Sequence, residues 1–199
     1  MTRAALAKEL RGVLLDPVDA VAIDVHGRTD AAVLVPLYLD ADGRLHAVFT
    51  KRRDDLRRHP GEISFPGGRQ DEGETELTDT ALREAEEEIG LRRDAVELIG
   101  ALQPTPTFVT NYAIYPFVGL IEPGQEWTIQ AREVDHVLEL SLADVRDGYA
   151  RRRLVRRGVP FRTDTYQAGE HMIWGATARI VADLLERVQA RLERERAAL

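Results

Sequence analysis

Three glutamates share one face of a short helical segment near the middle of the 199-residue chain. The segment has a helically spaced apolar stripe, formed by Leu77, Ala81, Leu82, Ala85 and Ile89. Thr75 is in position to cap the start of the helix, and Gly90 to end it. At about 100° per residue, Glu84, Glu87 and Glu88 fall within an arc of about 100°, while Glu86 points elsewhere. Clustered carboxylates repel one another unless a cation lies among them, and oxygen ligands suit a hard ion. The pattern therefore predicts that Glu84, Glu87 and Glu88 bind Mg²⁺ or Mn²⁺.

A basic loop and a glycine-rich turn lead into this helix. The loop, residues 52–60, contains Arg52 and Arg57, and the turn is Pro66-Gly67-Gly68. Such a loop is often only a solvated surface. The planar fork of arginine also matches phosphate oxygens, and glycines let the backbone come close to a ligand. We therefore consider Arg52, Arg57, Gly67 and Gly68 as candidate substrate-binding residues.

Composition excludes several classes of protein. The chain has no cysteine, so it has neither disulfides nor thiolate metal sites. The formal net charge of −7 argues against a nucleic-acid partner. The N-terminal stretch is too polar for a signal peptide, and no apolar run reaches the length of a membrane span. We expect a cytoplasmic protein with no membrane partner.

The remaining pattern predicts strands interleaved with a few helices. A helix over 4–15 is followed by two apolar strands, 31–39 and 45–51, which form a hairpin. Further strands are predicted at 62–65, 95–102, 112–121 and 171–174, with a proline-rich loop at 104–111 and a final helix from Gly175. We expect one α/β domain over 1–199, with a mixed sheet between helices, an N-terminal helical extension over 1–30 and a C-terminal helix over 175–199.

A second group of basic residues lies in the segment 151–166, which is predicted to form a hairpin with its turn at Arg157-Gly158. Arginines on such a hairpin usually form a solvated edge that prevents aggregation, although a binding role is open.

The central stretch resembles the Nudix box, G-x5-E-x7-R-E-U-x-E-E-x-G-U, where U is aliphatic. The fixed positions are filled by Gly68, Glu74, Arg83, Glu84, Ala85, Glu87, Glu88, Gly90 and Leu91. Eight residues rather than seven separate Glu74 from Arg83. The resemblance runs from about Val33 to Val181 and implies a Nudix-type α/β/α sandwich.

The extra residue and the upstream sequence resemble the coenzyme A pyrophosphatase branch of the Nudix hydrolases. That branch has the pattern L-L-T-x-R-[SA]-x3-R-x3-G-x3-F-P-G-G, which residues 48–68 follow at the required spacing, with Val48 and Phe49 as conservative changes at the first two positions. Arg53 departs from it by replacing a small residue. Asn111-Tyr112 also stands where the branch has Gly-Tyr, while Ile173 to Thr177 resembles the start of its final helix.

The resemblance implies metal-dependent hydrolysis of a diphosphate bond in a nucleotide-derived small molecule. For coenzyme A or acyl-CoA, the products would be 3′-phosphoadenosine 5′-phosphate and a 4′-phosphopantetheine species, with the loop at 52–58 meeting the 3′-phosphate. Glu84, Glu87 and Arg83 are the expected catalytic residues, and Arg83 orients Glu87 four positions later. The general base is Glu84, Glu87 or a carboxylate from a later loop, the candidates being Glu122, Glu126 and Glu133.

Several alternatives stay open at this level. One alternative is a different substrate, such as ADP-ribose, NADH or a dinucleoside polyphosphate. Another is a domain that binds such a molecule without hydrolysing it. His171 is a candidate for reaching the site, and Phe108, Tyr112 and Trp174 for stacking on adenine, although core packing is the default for aromatic residues. A homodimer is a further option.

Overall fold

The computed structural model describes residues 1–56, 59–107, 111–156 and 158–197. The helices are α1 (Arg3–Arg11), α2 (Pro17–Val21), α3 (Leu77–Ile89), α4 (Leu142–Asp147) and α5 (Gly175–Ala197), with a 3-10 turn at Arg93–Ala95. The strands are β1 (Thr29–Leu39), β2 (Leu45–Arg52), β3 (Ile63–Ser64), β4 (Gly67–Arg69), β5 (Glu97–Ala101), β6 (Thr105–Pro106), β7 (Tyr112–Leu120), β8 (Val134–Ser141), β9 (Tyr149–Arg156), β10 (Val159–Ala168) and β11 (His171–Trp174).

The larger sheet is mixed and is built around β1. One edge of β1 pairs in parallel with β7, whose far edge pairs antiparallel with β5. The other edge is shared, because β2 pairs with its end at Leu37–Leu39 and β4 with its start at Ala31–Val33. β3 and β8 extend the sheet beyond β2, and β6 pairs with β7. The predicted β1–β2 hairpin is confirmed.

Apolar side chains cover both faces of this sheet. On one face α3 packs through Ala81, Ala85 and Ile89 against β1 and β7. On the other face α1, α4 and α5 enclose a second cluster, in which Leu6, Leu10, Phe49, Phe65, Val181, Leu184 and Leu192 are buried. The mixed sheet between helices is therefore the predicted Nudix-type α/β/α arrangement.

A second sheet of three antiparallel strands, β9, β10 and β11, lies beside the helices α4 and α5. It contains the predicted arginine-rich hairpin, although Arg157 of its turn lies outside the described residues. None of the helices in the described ranges is long and apolar enough to span a bilayer.

Several local predictions were wrong. The first helix ends at Gly12 rather than at Asp16-Pro17, because Asp16 and Pro17 instead cap and begin α2. Thr75 does not cap α3; Glu76 holds the N-cap position without a side-chain hydrogen bond. The loop predicted at 104–111 contains the two-residue strand β6, and the segment directly after β8 forms the helix α4. These short elements were difficult to predict, because their sequences contain proline or short polar runs and contacts with the rest of the fold stabilise them.

Candidate active site

The glycines before α3 allow the sheet and the helix to approach closely. They form β4 rather than an isolated turn. A Cβ atom at Gly67 would lie 2.3 Å from the carbonyl oxygen of Ala32, and one at Gly68 would lie 2.3 Å from Oε1 of Glu84. Gly67 therefore requires glycine, because its nearest neighbours are backbone atoms, whereas a side chain at position 68 would displace the carboxylate of Glu84. The Gly67 N–H donates to Oε2 of Glu88 at 3.2 Å, so the strand contacts the predicted metal-binding face of the helix.

Glu88 and Glu84 are the buried members of the glutamate group. Glu88 is 6% exposed, and burial raises its pKa to about 8, with a further increase from the negative charge of Glu84. Burial also raises the pKa of Glu84 above its ordinary value, although Arg83 opposes the shift. The charges of a half-buried and a buried carboxylate therefore interact with incomplete compensation, which makes the ionised pair costly unless a cation joins it.

Arg83 links the carboxylates on the outer side of this pair. Its Nη1 donates to Oε1 of Glu84 at 3.0 Å and to Oε2 of Glu87 at 3.3 Å. Its Nη2 donates to the carbonyl oxygen of Arg69 at 3.1 Å, which ties the helix to the end of β4. The predicted Arg83–Glu87 contact is therefore present, and it is one of several contacts of the same guanidinium.

Glu74 reaches Arg83 despite the extra residue between them. Nε of Arg83 donates to Oε1 of Glu74 at 2.8 Å, while the Thr80 hydroxyl and the Asp71 N–H donate to Oε2 at 2.7 and 2.9 Å. These hydrogen bonds, the one from Arg83 foremost, lower the pKa of Glu74 to about 2. Glu74 thus anchors the arginine that contacts Glu84 and Glu87.

The other glutamates of the helix are more exposed. The side chain of Glu87 is 58% exposed at the rim of the cluster. Glu86 points away, as predicted, and lies 3.7 Å from Arg93.

The end of α3 places one later loop beside the cluster. Gly90 adopts a left-handed conformation (φ 72°), as predicted for the C-cap. The N–H groups of Thr128 and Gln130 then donate to the carbonyl oxygens of Ile89 and Glu88. This attachment delivers Glu133 close enough for its charge to raise the pKa of Glu88.

Two arginines at the end of β2 meet Glu133 and its loop. Nη2 of Arg52 lies 3.6 Å from Oε2 of Glu133, and its positive charge lowers the pKa of Glu88. Nε of Arg52 is buried and has no hydrogen-bond partner among the described residues. Arg53 binds Asp55 with two hydrogen bonds, at 2.8 and 2.6 Å, and donates to the carbonyl oxygen of Ala131 at 2.7 Å.

The remaining candidates fall elsewhere or outside the described residues. Glu122 pairs with Arg3 at 2.8 Å, and Glu126 is exposed. His171 packs against His136, with ring centroids 5.5 Å apart, and Trp174 packs against Phe161. The backbone N–H of Tyr112 donates to the Thr107 hydroxyl. Arg57 and Phe108 lie outside the described ranges.

The donor set fits a hard divalent cation in chemistry, although the side chains do not converge on one point. Within the described ranges no group of three or more His, Asp or Glu side chains is arranged as a metal site. Arg83 supplies the positive charge between Glu84 and Glu87 in this arrangement. The buried, oxygen-only pair Glu84 and Glu88 is nevertheless the ligand type that Mg²⁺ and Mn²⁺ prefer. That the three glutamates bind metal stays a prediction.

Two features of the site were not predicted from the sequence. One is the attachment of Thr128 and Gln130 to the helix end, which selects Glu133 from three acidic candidates. The other is the contact from Arg53 to Ala131. Neither has a spacing signal, because both join segments more than 30 residues apart.

Solved structures share this fold. The NUDIX domain of Shewanella oneidensis NrtR, solved with ADP ribose, aligns with a TM-score of 0.54 at 18% identity, covering 96% of this chain and 99% of that one. A MutT/nudix family protein from Enterococcus faecalis aligns with the same TM-score at 14% identity, covering 96% of this chain and 75% of that one. At such identities the similarity establishes a Nudix-type fold alone.

The sequence comparisons establish the family. The NUDIX domain model matches residues 28–158. An uncharacterized Nudix hydrolase, NudL, from Enterobacter sp. (strain 638) is 36% identical over 163 residues, covering 81% of this chain and 83% of the relative. The NudL of Photorhabdus laumondii is 35% identical over 161 residues, covering 80% and 84%. The chain therefore belongs to the Nudix family, as a hydrolase that acts on diphosphate bonds in small nucleotide-derived molecules. Nudix hydrolases generally use divalent metal ions.

Proposed function

We propose that the protein, as a single domain, hydrolyses the diphosphate bond of coenzyme A or acyl-CoA. The observation that carries the proposal is the position of Arg52, whose positive charge acts on the buried carboxylate of Glu88. A guanidinium with a buried, unpartnered Nε lies beside carboxylates that favour a cation, so one site offers partners for both a phosphate and a metal ion.

The coenzyme A assignment rests on the upstream pattern at 48–68 and on how that pattern folds. Its residues contribute to β2, β3 and β4 of the larger sheet, and β4 packs against α3. Phe65 is buried and stacks on Phe49 with ring centroids 4.4 Å apart, which fixes the chain just before Pro66-Gly67-Gly68. The residues of the pattern therefore lie at the candidate active site and not on a remote surface.

Asn111, which departs from the branch pattern, has a backbone conformation that favours glycine. Its φ is 59°, in the left-handed region that asparagine tolerates better than most residues other than glycine. The replacement therefore preserves the backbone before Tyr112, and it does not count against the branch.

We assign roles to the residues as follows. Mg²⁺ or Mn²⁺ held by Glu84, Glu87 and Glu88 would neutralise the diphosphate and lower the pKa of bound water. Arg52 binds a phosphate oxygen, with Arg57 as a second candidate. Gly67 and Gly68 keep the backbone close to the helix, and Arg83 orients Glu84 and Glu87.

Glu133 is the later-loop carboxylate that the geometry favours as the general base. Among the three loop candidates, it is the one whose charge acts on Glu88 and whose carboxylate lies near Arg52. A base positioned within reach of the attacking water contributes about 10²–10⁴-fold in rate. Glu84 and Glu87 remain the alternatives, and replacing Glu133 by glutamine distinguishes them: a loss below tenfold would return the role to the helix.

The decisive experiment is a substrate panel with product identification. Coenzyme A, acetyl-CoA, ADP-ribose, NADH and a dinucleoside polyphosphate are each incubated with Mg²⁺ or Mn²⁺. We expect coenzyme A to yield 3′-phosphoadenosine 5′-phosphate and 4′-phosphopantetheine at the highest kcat/KM. Survival of coenzyme A while ADP-ribose or NADH is cleaved would refute the branch assignment, and binding without cleavage of any substrate would indicate a non-catalytic module.

A further inference from the structure

A cavity lies between the arginine-rich hairpin and the C-terminal helix. It has a volume of about 170 Å³ and shares no lining residue with the candidate active site. One wall is formed by Arg151 of β9 and by Arg162, Thr163 and Asp164 of β10, and the opposite wall by small residues of α5 together with Arg179. The small residues, Gly175, Ala178 and Ala182, leave the space that the long arginine side chains surround.

The cavity carries more positive than negative charge. Three guanidiniums line it, against one carboxylate, that of Asp164. That carboxylate also accepts a hydrogen bond from the hydroxyl of Tyr149, whose oxygen lies 2.9 Å from its Oδ1. In the part of the chain that the structure describes, neither Arg151 nor Arg162 has a carboxylate within ion-pair distance. Arg179 donates to the carbonyl oxygen of Pro106, and desolvation lowers its pKa.

Strand pairing holds these side chains in a fixed order. Arg151 lies opposite Asp164, and Arg162 lies opposite Arg153. Side chains two residues apart on a strand share a face, so Arg162 and Asp164 point the same way as Arg151. The hairpin therefore presents two arginines to the cavity from a hydrogen-bonded ladder rather than from a loop.

We propose that this cavity is a second binding site, for a phosphate dianion. Water occupies about 30 Å³ per molecule in the liquid, so the space accommodates an oxyanion of five heavy atoms with some hydration. The planar donor forks of arginine match the oxygens of phosphate, and two of them balance a dianion. Inorganic phosphate and a phosphomonoester share this chemistry, and diphosphate hydrolysis itself produces phosphomonoesters.

Calorimetric titration of the full chain with inorganic phosphate, in EDTA and at constant chloride, tests the proposal. Arg162→Ala should weaken phosphate binding at least tenfold. Arg153→Ala is the matched control, because Arg153 is the exposed cross-strand partner of Arg162 and does not line the cavity. It removes the same charge from the same hairpin and should change the affinity by less than twofold.

Arg151→Ala provides a second variant, in case Arg162→Ala disturbs the hairpin, and thermal unfolding verifies that each variant is folded. A parallel titration with adenosine 5′-monophosphate distinguishes the two sources of the anion: arginine-dependent binding of the nucleotide identifies an ester site, and its absence a site for free phosphate.

No binding of millimolar phosphate to the wild-type chain would overturn the proposal. Equal losses of phosphate affinity in Arg162→Ala and Arg153→Ala would also overturn it. Because the titration lacks metal and measures no turnover, its failure leaves the coenzyme A proposal untouched.

Discussion

The two charged regions of this molecule differ in where their counter-charge comes from. The acidic face of α3 contains its own, since Arg83 contacts Glu84 and Glu87 and is held in turn by Glu74. The basic hairpin has less, because three arginines line its cavity against the single carboxylate of Asp164. The first region is therefore ordered before any ligand binds, whereas the second has a charge excess that an anion would relieve.

This difference also explains how each region could be recognised. The glutamates lie on one helix, so their spacing alone places them on a common face. The arginines line a cavity only after a hairpin and a distant helix have packed together, and a run of arginines on a strand more often indicates a solvated edge.

The largest expected effect is on turnover, from a glutamate of the cluster. Glu87→Gln keeps the size of the side chain and removes the charge that a divalent ion needs. We expect kcat/KM to fall at least 100-fold with little change in the free energy of unfolding, because Glu87 is mostly exposed. The control is Glu86→Gln, on the same helix but facing Arg93, for which activity should stay within twofold. Similar losses in both variants would mean that overall charge, rather than the cluster, sets the rate.

Removing the internal counter-charge should reduce both stability and activity. Arg83→Ala leaves Glu74 and Glu84 without their shared partner, and both side chains are mostly buried. We expect a loss of about 2–3 kcal/mol in the free energy of unfolding, measured in urea, and at least a tenfold loss in kcat/KM. Arg93→Ala, which breaks more exposed pairs with Asp79 and Glu86, should cost less than about 0.5 kcal/mol. If the two variants were equally stable, the network would not be a structural unit.

The stabilisation from Glu74 should depend on pH in a defined window. Its pKa is lowered to about 2 in the folded chain from an ordinary value of 4.5, so its contribution is complete above pH 4.5 and is lost as the pH falls towards 2. We expect the difference in the free energy of unfolding between the wild type and Glu74→Gln to be about 1–2 kcal/mol at pH 6, after allowing for solvent screening. This difference should shrink steadily between pH 4.5 and pH 2. A difference that does not vary with pH over that range would show that the charge of Glu74 is not involved.

Replacing Arg53 tests whether catalysis depends on the position of the loop before Glu133. Arg53→Ala removes the hydrogen bond to Ala131 that fixes the loop before Glu133. We expect kcat/KM to fall about five- to tenfold, mainly through kcat, since a misplaced base slows the chemical step. Arg92 is the matched control, because it forms the same two-residue pair, with Asp94, and makes no hydrogen bond or ion pair to a distant loop among the described residues. Arg92→Ala should leave kcat unchanged, and partial recovery in Arg53→Lys would support the positioning role.

The sequence predicted those features that depend on local periodicity. The position of α3, its Gly90 cap and the face shared by Glu84 and Glu88 follow from helical spacing, and the β1–β2 hairpin follows from alternating strands around a turn. The contact of Glu74 with Arg83 could not be read from the chain, because the eight residues between them are one more than the box pattern has. The selection of Glu133 needed the hydrogen bonds from Thr128 and Gln130 to the helix end, which join residues about 40 positions apart.

The smallest expected effect concerns a local departure from the branch pattern. Asn111 has a φ of 59°, so Asn111→Gly should change the free energy of unfolding by less than about 0.5 kcal/mol and leave kcat/KM unaltered. Asn111→Val places a β-branched side chain in the same conformation and should cost about 1–2 kcal/mol. Unfolding in urea measures both. If the glycine variant lost activity on coenzyme A, the asparagine side chain itself would have a role there, and the departure would reflect a change of substrate rather than an equivalent solution for one backbone position.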